Sequence, residues 1–230
     1  MHVVFKQGIK EIAAQQGRSI TFMAKPSMSE PGNSCHIHCS LWKDGRNAFA
    51  EGKDGQSNGG HTRLFRQFLG GLLKYSPELC YFFGPTINSY KRYQPGSWAP
   101  TKMAWSHDNR TVGFRVVGHG NGLRIENRMP GADANPYLAL AATIAAGLDG
   151  VERGLEPPPR FDGDAYSATE LLRIPSTIVE AIDAFAASQL AREAFGPLVH
   201  AHLLNTAQQE WAAFGTVVTD WERRRGFVQY

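Results

Sequence analysis

The 230-residue chain is 42% hydrophobic and 20% charged, with a formal net charge of +3. That composition excludes a largely disordered chain, and without a lysine run or a basic helical stripe the mild positive charge makes nucleic acid no default partner. Its three cysteines are odd in number and two of them share one short stretch, which argues against a secreted disulfide framework and for a reducing, cytoplasmic setting.

No apolar run approaches the roughly 18 residues that span a bilayer, and the start lacks the charged onset and cleavage pattern of a signal peptide, so no membrane role is expected. In chain order, Phe5, Ile9, Ile12 and Ala13 recur at helical spacing before Gly17, which predicts an amphipathic helix with a glycine stop. "SITFMAKP" alternates toward a strand closed by Pro26. In "SCHIHCSLW" a strand would put Cys35, Ile37 and Cys39 on one face and His36, His38 and Ser40 on the other. The glycine-rich "DGRNAFAEGKDGQSNGG" predicts a surface hairpin or flap, and "HTRLFRQFLGGLLKYSPELCYFF" returns to helical spacing.

The middle of the chain, from "TINSYKRY" to "GADANPYL", mixes short strand-like runs with turns and is polar, aromatic and glycine-rich at once. Loops of that composition are where sites tend to sit. From about residue 134 to 230 the chain reads as mostly helical, opening with Asn135 as N-cap and Pro136 in the first turn. "EPPPRF" reads as a rigid linker segment within it.

Three groups of residues carry possible chemistry. Zinc on "SCHIHCSLW" is disfavoured, because adjacent Cys and His point to opposite sides of a strand and cannot surround one tetrahedral ion without breaking it. Cys35 and Cys39 are expected to pack inward as small hydrophobes, with Cys80 in the core. His36 and His38 share a face, where two hydrogen-bonded surface histidines are the more ordinary reading of that stretch alone. Five arginines, Arg92, Arg110, Arg115, Arg124 and Arg128, fall within a few loops and strands, and Arg124, Glu126 and Arg128 share a strand face by their spacing. A solvated strand would look like this; so would a set of guanidinium groups converging on phosphoryl oxygens beside an acid that holds a divalent cation. Spacing leaves those two even.

In order and spacing, "TFMAKP", "GNSCHIHCSLW", "NSYKRYQPGSWAP", "NRTVGFR", "RIENRMPGADANPYLALAATIAAGLDG" and "VTDWERRR" resemble the catalytic domain of the glutamine synthetase family. The resemblance implies an α+β fold, with a curved, mostly antiparallel sheet backed by helices, as a single catalytic domain over residues 1–230. It implies an ATP-dependent ligase that phosphorylates the side-chain carboxylate of glutamate and lets an amine displace the phosphate. It also implies Mg(II) or Mn(II), ATP as co-substrate, and a homo-oligomeric ring when the chain is full length. Carried onto matching positions, it makes His36 and Glu126 metal ligands and puts Gly32, Arg92 and Arg128 at glutamate. Arg110, Arg115 and Arg128 then fall at the transferred phosphoryl group, and His38, Ser40 and Arg124 at ATP.

Two departures shape the expectation. Ammonia-using members carry a glutamate where Trp98 stands in "PGSWAP"; tryptophan cannot accept a proton but offers a stacking wall for a larger amine. A glutamate–amine ligase similar to the polyamine-glutamylating and other amine-glutamylating members is therefore expected, ahead of glutamine synthesis. The family's N-terminal beta-grasp domain and the strands with its other metal-binding glutamates are absent, so the isolated chain is expected to bind Mg(II) weakly and to be poorly active. The competing expectation is a non-catalytic fragment that binds nucleotide or docks onto a full-length ring.

Overall fold

The computed structural model describes residues 1–50 and 61–229. Helix α1 (His2–Gln15) ends as expected, Gly17 taking the left-handed φ of 66° that a side chain resists. The next expectation fails. Residues 18–26 form no strand, because their backbone groups are taken up elsewhere: Lys25 N donates to Asn88 Oδ1 (2.8 Å), Asn88 Nδ2 donates to Lys25 O (2.8 Å) and Ala24 O accepts from Asn33 N (2.8 Å).

β1 (Ile37–Cys39) is shorter than the stretch that suggested it. β2 (Trp42–Lys43) and β3 (Arg46–Asn47) form a hairpin whose Asp44 and Gly45 both have positive φ, 51° and 72°, the signature of a two-residue turn matched to strand twist. The rest of the expected flap, residues 51–60, lies outside the described residues.

α2 (Arg63–Tyr75) starts at Thr62, whose hydroxyl accepts from Phe65 N. After α3 (Cys80–Phe83) and α4 (Ile87–Tyr90) come β4 (Trp105–His107), β5 (Phe114–Val117) and β6 (Arg124–Asn127). α5 (Pro136–Glu152) begins at Asn135, whose side chain accepts from Tyr137 N and Leu138 N. α6 (Ile178–Ala187), α7 (Gln189–Phe195), α8 (Pro197–Gly215) and α9 (Asp220–Gln229) follow.

The main sheet runs β1-β6-β5-β4, with the first two pairings antiparallel and β4 parallel to β5. This is an α+β architecture. Its core holds Ile37, Phe114, Val116 and Ile125 from the sheet, with Phe65, Phe68, Phe82 and Phe185 from the helices. α2 and α5 approach closely through glycines: a Cβ on Gly71 would run into Ala146 O, and one on Gly147 into the Phe68 ring. Cys80 is in the core, whereas Cys35 and Cys39 are only half-buried, Cys39 against the core edge. "EPPPRF" is no free linker: Trp105 Nε1 donates to Pro158 O (2.7 Å), Phe161 N donates to Trp105 O (3.0 Å) and Glu156 pairs with Arg66 (3.0 Å).

Candidate active site

The strand register builds the site. His38 pairs across to Glu126, Glu126 to Arg115, and Arg115 to Ser106, one row running over all four strands. Alternation puts this row on one face, and the neighbours two residues along, Arg124 and Arg128, flank it on the same side. The opposite face carries Ile37, Ile125, Phe114 and Val116 into the core. Burial of one face thus forces a polar row onto the other.

Glu126 is the hub. It is 3% exposed, and its Oε1 lies 2.8 Å from His36 Nδ1 and accepts from Arg128 Nη1 (3.0 Å), while Oε2 accepts from Arg115 Nη1 (3.1 Å). Burial alone would raise the carboxyl; the His36 hydrogen bond, Arg128 and Arg115 outweigh it and hold the pKa at about 2. A carboxylate kept ionised in a buried place needs such partners, since an unpaired buried charge costs several kcal/mol. Arg115 also donates to Asp108 Oδ1 (2.8 Å), and Arg128 Nη2 to Trp98 O (3.0 Å). The Nε–H groups of Arg92, Arg115 and Arg128 are buried with no partner among the described residues. Unmet donors of this kind on three neighbouring guanidinium groups suit a set aimed at oxyanions.

At the β1 end, Arg124 Nε donates to His38 Nδ1 (3.1 Å), and His38 Nε2 stands 3.9 Å from Glu126 Oε1. Burial, with Arg124 adding to it, lowers the His38 pKa below its usual 6.5 although Glu126 pulls upward. Ser40 Oγ accepts from Trp42 Nε1 (2.9 Å). Gly32 and Arg92 come together: a Cβ on Gly32 would stand 2.7 Å from Arg92 Cγ and 2.8 Å from Ala24 O, so only glycine fits. The Arg92 guanidinium is buried, bonds to Met129 O and Arg128 O, and lies over the Tyr93 ring. Trp98 is 65% exposed in a left-handed turn, φ 61°.

Arg110 is the expected residue that stays apart. It is exposed and forms no hydrogen bond or ion pair among the described residues, on a turn braced by Asn109 and Thr111. Two contributors were missed. Asp108, which holds Arg115, lies in "SHDNRT", where one acid in a basic stretch was the available signal. Tyr166, whose hydroxyl donates to Ala99 O (3.0 Å), is remote in sequence and carried none.

For a divalent cation the site offers a partial donor set. One imidazole and one carboxylate converge to 2.8 Å, but among the described residues no group of three or more His, Cys, Asp or Glu side chains could hold a metal ion. His36 and Glu126 fit part of a hard-cation site rather than a closed one. No helix among the described residues is long and apolar enough to cross a membrane.

The glutamine synthetase catalytic domain matches residues 1–226. The chain is 54% identical to gamma-glutamylethanolamide synthetase GlnA4 of Streptomyces coelicolor over 98% of its own length and 47% of the relative's, and 39% identical to a glutamine synthetase of Thermus thermophilus over 98% and 52%. A solved structure of GmaS without ligand superposes with a TM-score of 0.86 at 35% identity, covering 97% of this chain and 51% of that one. The chain thus spans about half the length of the relatives it matches. The match over residues 1–226 places the chain in the glutamine synthetase catalytic-domain family.

Proposed function

We propose that the chain is the nucleotide- and glutamate-side part of an ATP-dependent ligase, one that joins glutamate to an amine through a gamma-glutamyl phosphate. The observation that carries this is the Glu126 hub, where one buried carboxylate holds His36, Arg115 and Arg128 within 3.1 Å. Arg128 and Arg115 take charge on the transferred phosphoryl oxygens, with Arg110 closing from its exposed turn. Gly32 and Arg92 shape the glutamate subsite, and His38, Ser40 and Arg124 face the nucleotide. His36 and Glu126 would contribute ligands to Mg(II) or Mn(II), which when bound neutralises phosphate charge.

An amine larger than ammonia is the preferred acceptor. Trp98 presents an exposed indole, on a turn whose backbone carbonyl accepts from Arg128, where an acid would serve ammonium, and one relative is named for an ethanolamide product. Glutamine synthetases at 39% and 37% identity keep ammonia as the alternative acceptor. A second reading is a non-catalytic nucleotide-binding or assembly fragment, favoured by the small number of cation donors among the described residues. The expected cellular setting is the cytoplasm, with a homo-oligomeric ring for a longer form.

Calorimetric titration with ATP and Mn(II), followed by phosphate release with glutamate plus ethanolamine, spermidine or ammonium, tests these readings. Saturable binding with amine-dependent turnover favours the ligase, and an ethanolamine over ammonium preference of about tenfold or more favours the larger acceptor. Binding without turnover favours the nucleotide-binding fragment, and no binding removes the ligase reading for this chain and leaves the assembly fragment. In a turning-over protein, Trp98→Glu is expected to narrow that preference.

A further inference from the structure

The Trp98 turn is an unusual place for a large side chain. A tryptophan at φ 61° stores strain that its surroundings must overcome, because a Cβ crowds the backbone in that region. The surroundings do so group by group. Ser97 Oγ donates to Gln94 O (2.6 Å) and Arg92 O (3.0 Å) and accepts from Ala99 N (3.3 Å). Arg128 Nη2 donates to Trp98 O (3.0 Å), and Tyr166 Oη donates to the next carbonyl, Ala99 O (3.0 Å). Ala99 is itself buried while Trp98 stands out into solvent.

Of these partners Arg128 follows β6 and Tyr166 comes from a segment still further along the chain, and that segment is anchored in turn. Asn109 Nδ2 donates to Gly163 O (2.8 Å), Thr111 Oγ1 accepts from Ala165 N (3.0 Å), and Ala165 is fully buried against Ala104 and Val112. Asn109 and Thr111 are the two residues that bracket Arg110. The segment 163–166 therefore spans from the turn that carries Arg110 to the turn that carries Trp98.

We infer that Tyr166 is a positioning residue that fixes the left-handed Trp98 turn, and so sets where the indole wall stands for the incoming amine. This deepens the amine reading above and rests on it for the identity of the acceptor, though not for the clamp. The hydroxyl is the working group, since Phe in its place keeps the ring and loses only the bond to Ala99 O. Losing it leaves a buried carbonyl short of a donor and frees the strained turn to relax.

The test labels the protein with 5-fluorotryptophan, which gives one line for each of five tryptophans, the Trp98 line being assigned by its loss in W98F. In Y166F that line is expected to shift or split while those of Trp42, Trp105, Trp211 and Trp221 hold. Amides of residues 96–99 are expected to exchange about tenfold faster, with α2 unchanged. An unmoved Trp98 line with unchanged exchange overturns the inference; so does disturbance of all five lines, which would make Tyr166 a general support of the fold. Ser97→Ala, which loosens the same turn from its other side, is expected to move the Trp98 line alone as well. In a parallel titration with ethanolamine in the presence of ATP, Mn(II) and glutamate, a Trp98 line that ignores the amine in the unaltered protein counts against the amine wall, while the comparison with Y166F still decides the clamp.

Discussion

Glu126 shows how one side chain can organise a site. Its carboxylate is buried and takes its compensation from His36, Arg115 and Arg128. Glu126→Ala would leave the buried Arg128 guanidinium without a counter-charge and Arg115 with Asp108 alone, and a destabilisation of about 3–5 kcal/mol is expected in urea unfolding. A different residue sets the acid limit of the fold. His61 is buried, stacked between the Phe65 ring (4.2 Å) and the His107 ring (4.9 Å), and burial followed by the neighbouring His107 and Arg66 lowers its pKa from 6.5 to about 4. The unfolded chain therefore binds a proton at higher pH than the folded one does. The stability that neutral His61 contributes is complete above about pH 6.5 and is lost as pH falls toward 4. Thermal melts across that window are expected to decline, and His61→Phe is expected to flatten the decline; an unchanged slope would exclude this stack as its source.

Among the elements, the α2–α5 pair has the least tolerance. Gly71 and Gly150 bring the two backbones so near that a Cβ on Gly71 would stand 2.7 Å from the Gly150 Cα and collide with Ala146 O. Backbone cannot yield as a flexible side chain can. Gly71→Ala, favourable by helix propensity, is expected instead to cost about 1–3 kcal/mol in denaturant unfolding. Legibility at this scale depended on where the signals lay. The helix stop at Gly17 and the N-cap at Asn135 were readable because those devices are local. The strand expected over "SITFMAKP" was not formed, because Asn88, far along the chain, supplies the bonds a neighbouring strand would have made. "EPPPRF" follows α5 as a rigid segment without helix or strand, and what fixes it is again remote in sequence, Trp105 holding the Pro158 carbonyl.

Over the whole molecule, α5 presents Tyr137, Leu140, Ile144 and Leu148, all at least 45% exposed, along one helical stripe. An apolar row of that kind in water promotes self-association. Replacing Leu140 and Ile144 by Glu is expected to leave the unfolding midpoint nearly unchanged and to reduce aggregation in light scattering; a large loss of stability would show that the row is covered in solution. The sequence by itself determined which residue types could meet: period-two spacing put His36, His38, Arg124, Glu126 and Arg128 on strand faces, and the ordered motifs identified the family. Tertiary structure alone decided the register that lines His38, Glu126, Arg115 and Ser106 into one row, the recruitment of Asp108 to Arg115, and the bond from Tyr166 to the Trp98 turn. Local propensity travels only a few residues along the chain, whereas pairing between strands and between distant loops is settled by which arrangement buries the apolar face and leaves the fewest polar groups unbonded.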